Sequence, residues 1–170
     1  MMVTNLTIGK KKYIDVEAEM EDIRSRLEAL QQELVGLTDR DAEAFEPLSR
    51  AYGLPKETEE QRIEKERVME KALYEASVVP LQIMKTVFRV MEDLEVLGEK
   101  GSRLAVSDVG VAVLFARAAL EGASLNIYIN TRLMKNREQA ERLNKESDEL
   151  IAEAGRLQEK IYTGVLAKIR

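Results

Sequence analysis

A carboxylate stands where helical packing alone would place an apolar side chain. Val16, Met20, Ile23, Leu27, Leu30, Leu34 and Leu37 recur at alternating steps of four and three. The next step lands on Asp41, before Ala44, Leu48 and Ala51 resume the apolar pattern. An acid held on such a seam is a candidate general acid or base. The same residue has a plainer reading. If Gly36 breaks the helix and Thr38 caps a new one, Asp41 falls three residues after the cap, as the acidic partner of a capping box. Asp108, next to Ser107 at the start of the stretch 107–130, is a second carboxylate. A structural role competes there too, since an acid in a first turn gains about 0.3–1 kcal/mol from the helix dipole. At the far end of that stretch Asn126 and Asn130 share a helix face and are flanked by Leu125, Ile127 and Ile129. Two amides converging in apolar surroundings orient a polar ligand, whereas on a face turned to water they are only solvated. Lys10, Lys11 and Lys12 form a cationic run, and Lys56 follows Pro55 on a connecting loop. These lysines suit an anion, and equally suit the solvated ends of helices.

Two absences narrow the chemistry. The chain has no cysteine, hence no disulfide, thiolate nucleophile or thiolate metal site. It has no histidine, so zinc, copper and haem lose their usual ligands, and no metal centre is expected. Acid and base work falls to Asp, Glu, Lys or Tyr.

Helices must position these groups. The composition is rich in Ala, Leu, Glu, Lys and Arg and poor in aromatics, Pro and Gly. It predicts an all-α fold: a single-domain bundle over residues 1–170, of about five to six helices, two of them long and kinked, around a central apolar helix. MMVTNLTIG opens the chain without a capping residue, and Gly9 ends that segment. Thr58 and Gln61 sign a capping box for a helix running to Gly98, roughly 60 Å long if straight. A compact domain of this size is about 40 Å across, so a bend is expected at Pro80, inside the apolar run VVPLQIM. Ser107 is expected to cap the least charged stretch, which reads as a central helix or a tightly joined pair buried by the others. A last helix from about Arg137 carries a seam of Leu143, Leu150, Ala154, Leu157 and Ile161, with Ser147 as its polar gap.

The formal charge is -5 with acids and bases interspersed, so no basic face marks a nucleic-acid partner. No apolar run approaches the roughly 20 residues that span a bilayer, and no signal peptide is present, so a soluble cytoplasmic protein is expected.

The strings LTIGKKKY, DAEAF, LPK, VPL, SDVGVA and NIYIN, in this order, resemble the formiminotetrahydrofolate cyclodeaminase / methenyltetrahydrofolate cyclohydrolase family over almost the whole chain. Members of that family carry a further segment before this point, with a Pro-Gly-Gly-Gly-Ser-like turn opening the first helix; the resemblance therefore implies a chain that begins inside that helix. It implies a one-carbon folate enzyme, usually a homodimer, acting on a tetrahydrofolate derivative with one or several glutamates, with no cofactor beyond that substrate. One reaction closes a formimino carbon onto the anilino nitrogen and expels ammonia; the other adds water to the methenyl carbon. Both pass through a tetrahedral carbon between two nitrogens, and a carboxylate serves both. The resemblance gives Asp41 or Asp108 the role of acid/base and stabiliser of the methenyl cation. It places Asn126, Asn130 and Ser107 on the substrate and Lys10, Lys11 and Lys56 on the glutamate tail, or one of these lysines as a proton shuttle. The rival readings are a non-catalytic helical dimerisation module and an inactive, truncated member of the family. The Val16–Leu37 seam could pair with a helix of its own chain or with a second subunit, and the contact between subunits is the one predicted.

Overall fold

The computed structural model describes residues 1–170. Five helices follow one another: α1 (Met2–Thr7), α2 (Glu17–Tyr52), α3 (Glu59–Lys100), α4 (Val106–Thr131) and α5 (Arg137–Ile169). Short 3₁₀ turns occupy Lys11–Val16 and Arg103–Ala105. The chain leaves α1 through Gly9, whose φ of +75 an L side chain rarely adopts. Thr58 and Gln61 form the expected capping box at the start of α3. Asn136 accepts from the Gln139 backbone N–H at 3.1 Å and opens α5. Ser107 does not cap α4: the helix starts at Val106, with Ala105 at the cap position, and Ser107 lies in the first turn.

Gly36 does not interrupt α2, and Thr38 does not cap a new helix. Its hydroxyl donates instead to the Leu34 carbonyl one turn back, at 3.1 Å. The heptad count from Met20 therefore runs unbroken to Ala51, and Asp41 takes its place on the seam, half-buried.

α3 packs on α2, α4 and α5, while α2 and α4 flank it without forming a pair of their own. A groove of about 460 Å³ remains between those two, floored by Val90 and Leu94 of α3 and reached by Met1. α4 is apolar all round but buried only on its inner side, where Val109, Val113, Leu120 and Ile127 are closed off from solvent. On its outer side Val111 is 52% exposed and Phe115 73%. No helix is long and apolar enough to cross a membrane.

The α2 seam meets its own chain. Met20 and Ile23 are fully buried, with Leu30 and Leu37 nearly so, in the pairing with α3. The expectation that Val16–Leu37 joins two subunits is thus corrected, because the hydrophobic surface that would drive such pairing is already removed from water. Beside the seam the two antiparallel helices exchange charges at heptad spacing. Glu19 meets Lys100 at 2.8 Å, Arg26 meets Asp93 at 2.5 Å, and Glu33 meets Arg89 at 3.2 Å and the Thr86 hydroxyl at 2.8 Å. Asp93 is the most buried member, 8% exposed, and its hydrogen bond is the main reason the Arg26 guanidinium is held above its usual range.

The turn between α3 and α4 is tight. A Cβ on Gly101 would lie 2.5 Å from the Leu97 carbonyl oxygen and 2.7 Å from Val3 Cγ1. That carbonyl is itself fixed by the Gly101 N–H, at 3.0 Å. Gly101→Ala should therefore lower stability by about 1–3 kcal/mol through overpacking, read as a shift of the urea midpoint at unchanged slope.

Candidate functional site

Pro80 sets the geometry. Its ring nitrogen carries no proton, so the Ala76 carbonyl loses the partner that an α-helix would supply four residues on. The chain replaces it from another helix: the Asn130 side-chain amide donates to Ala76 O at 3.1 Å. Asn130 is thus tied to the weak turn of α3. Asn126, one turn earlier on α4, is exposed.

Asp41 reaches the same level from the other flank. The ladder fixes its register. Eight residues beyond Glu33 on α2 correspond to eight before Thr86 or Arg89 on α3, which is Val78 or Leu81. Asp41 stands opposite the turn that holds Pro80. The structure thus brings Asp41, Asn126 and Asn130 to one height of the bundle, on α2 and α4, on the two flanks of α3.

Lys56 lies in the α2–α3 connection, which Lys65 holds to its own level of α3, about 22 Å along the bundle from Pro80. It lines a cavity of about 310 Å³ with Arg62, Lys65, Glu66, Glu70 and Lys135. Most of these groups are engaged. Lys65 Nζ donates to the Tyr52 and Leu54 carbonyls at 2.8 and 2.7 Å, Lys135 pairs with Glu66 at 2.5 Å, and Glu70 accepts the backbone N–H groups of Lys135 and Asn136. Arg62 pairs with Glu59 at 3.6 Å, and Lys56 is the cation left to meet an added anion.

Asp108, Ser107, Lys10 and Lys11 lie elsewhere. Gly98 of α3 packs beside Val109, so the start of α4 is level with residue 98, some 27 Å along the bundle from Pro80. Asp108 and Ser107 are exposed there. The segment carrying Lys10 and Lys11 is pinned to that end, where the Arg103 N–H donates to the Tyr13 hydroxyl at 3.3 Å and the Ser102 N–H to Thr7 Oγ1 at 2.9 Å. Within one chain the two carboxylates do not meet.

A further polar pair escapes any reading of spacing, because its partners are 20 residues apart on α4 and α5. The Tyr128 hydroxyl donates to Asp148 Oδ1 at 2.5 Å. Burial first, and this hydrogen bond second, push the phenol up to about 12 from 10.0. The folded chain keeps this proton over pH 10 to 12, where the unfolded chain has lost it. Its stabilisation is complete below pH 10 and fades as pH rises through 12. In Tyr128→Phe the alkaline fall in melting temperature should be shallower over that window, by a modest amount because the ring is only partly enclosed.

Comparison with known proteins fits this architecture. The profile of the formiminotransferase-cyclodeaminase family matches residues 1–149, and the chain belongs to that family. A methenyltetrahydrofolate cyclohydrolase from Methylorubrum extorquens is 43% identical over 168 residues, 99% of this chain and 81% of that protein. Mouse formimidoyltransferase-cyclodeaminase is 29% identical over 153 residues, 90% of this chain but 28% of that longer protein. The crystal structure of formiminotetrahydrofolate cyclodeaminase from Thermotoga maritima superposes with a TM-score of 0.77 at 30% identity, covering 98% of this chain and 77% of that one.

Proposed function

We propose that the chain is a one-carbon folate enzyme that hydrolyses the methenyl bridge of 5,10-methenyltetrahydrofolate. The observation that carries this reading is its 43% identity to a cyclohydrolase along 99% of its length. Closure of formiminotetrahydrofolate with release of ammonia is the second reading, favoured by the likeness to the Thermotoga cyclodeaminase. Asp41 is the acid/base. Water adds to the cationic methenyl carbon, Asp41 takes its proton, and the tetrahedral carbon collapses by breaking one C–N bond as a proton reaches the leaving nitrogen. The carboxylate also balances the positive charge of the bridge before attack. Asn126 holds the pterin or the reacting group, Asn130 holds the turn opposite and reaches the same ligand, and Lys56 meets a glutamate carboxylate. The reaction asks for no metal and no cofactor beyond the folate itself. The enzyme works as a homodimer in the cytoplasm.

The test is the loss of the near-ultraviolet band of methenyltetrahydrofolate on mixing with protein. Decay faster than the buffer blank supports the proposal. If only formiminotetrahydrofolate is consumed, with release of ammonia, the second reading replaces it. No acceleration with either substrate overturns both.

A further inference from the structure

The charge ladder between α2 and α3 stops one rung short. On α2 the signs alternate every seven residues through Glu19, Arg26, Glu33 and Arg40. The first three meet Lys100, Asp93 and Arg89 on α3. Glu33 also accepts the Thr86 hydroxyl. Seven residues back from Thr86 and Arg89 stand Val79 and Gln82, on either side of Pro80. Neither is charged, so the fourth rung has a cation on α2 and no anion on α3. At this height a cavity of about 630 Å³ lies between the two helices, lined by Gly36 and Arg40 of α2 and by Gln82, Lys85 and Arg89 of α3. An added Cβ at Gly36 would meet nothing within 4 Å, so that side of the cavity is open. Gln82 Oε1 is shut off from water and finds no donor. With the oxygen turned inward, the NH₂ end of this amide is the one left for the cavity.

We infer that this cavity binds a small anion with two or more acceptor oxygens, a carboxylate or a phosphate, which supplies the fourth rung. The donors suit it. Lys85 and Arg89 each hold one carboxylate already, Glu146 at 2.5 Å and Glu33 at 3.2 Å. Arg40 is exposed and enters no ion pair. Its planar guanidinium can give two parallel hydrogen bonds to one carboxylate or phosphate. The Gln82 amide adds a neutral donor from the facing helix. Three cations line the cavity against one acid, Glu33, an excess of two positive charges in a chain whose formal charge is -5. This site is separate from the proposed reaction. Asp41 shares the heptad position of Leu27 and Leu34, which line the groove toward α4. Arg40, one residue earlier, is turned about 100° around α2 and lines the cavity on the other side of the seam. A bound anion ties α2 to the turn that Pro80 weakens, from the side away from the reacting carboxylate.

The test needs no folate. Inorganic phosphate and succinate are titrated separately into the whole chain at fixed ionic strength, and the melting temperature is followed. A saturable rise of a few degrees is expected with at least one of them, and the probe that gives it separates phosphate from carboxylate chemistry. In Arg40→Gln the apparent affinity should fall by about tenfold or more, because a charge-assisted pair of hydrogen bonds is lost. Gln82→Glu places an acid on α3 at the fourth rung, so the added anion should no longer raise the melting temperature of that variant. Anions excluded from the surface stabilise any fold without saturating. A rise that never saturates, or one as large in Arg40→Gln as in the unsubstituted chain, therefore overturns the site. No rise with either probe overturns it too. An unchanged response in folded Gln82→Glu overturns the claim that the anion fills the rung at Gln82.

Discussion

Asp41→Asn should lower turnover of methenyltetrahydrofolate by about 10²–10⁴-fold while leaving the fold intact. The amide keeps the shape of the carboxylate and removes both its charge and its capacity to take a proton. The size of the expected loss follows from the position. Asp41 occupies a seam site where the residues one step before and two steps after, Leu37 and Leu48, are buried. An apolar residue there would pack better, so a fold selected for stability alone has no use for the acid. Asp41→Leu should accordingly abolish turnover and raise stability by about 1 kcal/mol, a gain of a few degrees in melting temperature. The pair of outcomes is diagnostic. Full turnover in Asp41→Asn, or a lower melting temperature in Asp41→Leu, would show that the carboxylate serves the bundle and not the reaction.

The second large effect concerns Asn130. Asn130→Leu strips the Ala76 carbonyl of its substitute donor inside the protein, at a cost of about 1–3 kcal/mol. Pro80→Ala restores a backbone N–H that the same carbonyl can accept within α3. In that background the cost of Asn130→Leu should shrink, giving a coupling energy of about 1 kcal/mol between two residues 50 positions apart. Denaturant titration of the four proteins measures it. Additive costs would mean that the amide does not stand in for the missing helix bond. Activity separates the two roles of this residue: turnover that stays low in the double variant after stability has recovered assigns Asn130 to the substrate as well.

Much of the fold was legible in the sequence because its signals are local. The Thr58 capping box, the heptads of α2 and the small-residue content of α4 each act within a few turns, and the all-α bundle follows. Periodicity also pointed to Asp41, and the continuity of α2 removes its capping-box reading. What the sequence withheld depends on which helix lies beside which. The Asn126–Asn130 pair reads as two equivalent amides, yet only Asn130 faces the carbonyl that Pro80 orphans, a fact of the α3–α4 register. The seam of α2 and the outer stripe of α4 have the same spacing. Spacing does not say which of them the chain itself covers, and only the fold shows that the α2 seam is covered by α3. Asp41 and Asp108 look alike as lone acids near helix turns, and only the helix lengths place them at opposite ends.

The charge ladder between α2 and α3 acts less on strength than on registration. Each rung is at least partly open to water, and such pairs are individually weak. Their order matters more. Along α2 the signs run Glu19, Arg26, Glu33; along α3 the facing positions run Lys100, Asp93, Arg89. If α2 slid by one heptad, the apolar seam would still fit, because it repeats with the same period. The charges would not. Sliding one way sets Glu19 against Asp93 and Arg26 against Arg89; sliding the other way sets Arg26 against Lys100 and Glu33 against Asp93. A slipped bundle therefore meets like charges in either direction. One heptad is about 10 Å of travel, enough to carry Asp41 away from the Pro80 turn. A vernier of alternating charge, set one to three heptads from Asp41, fixes where along its neighbour that carboxylate comes to rest.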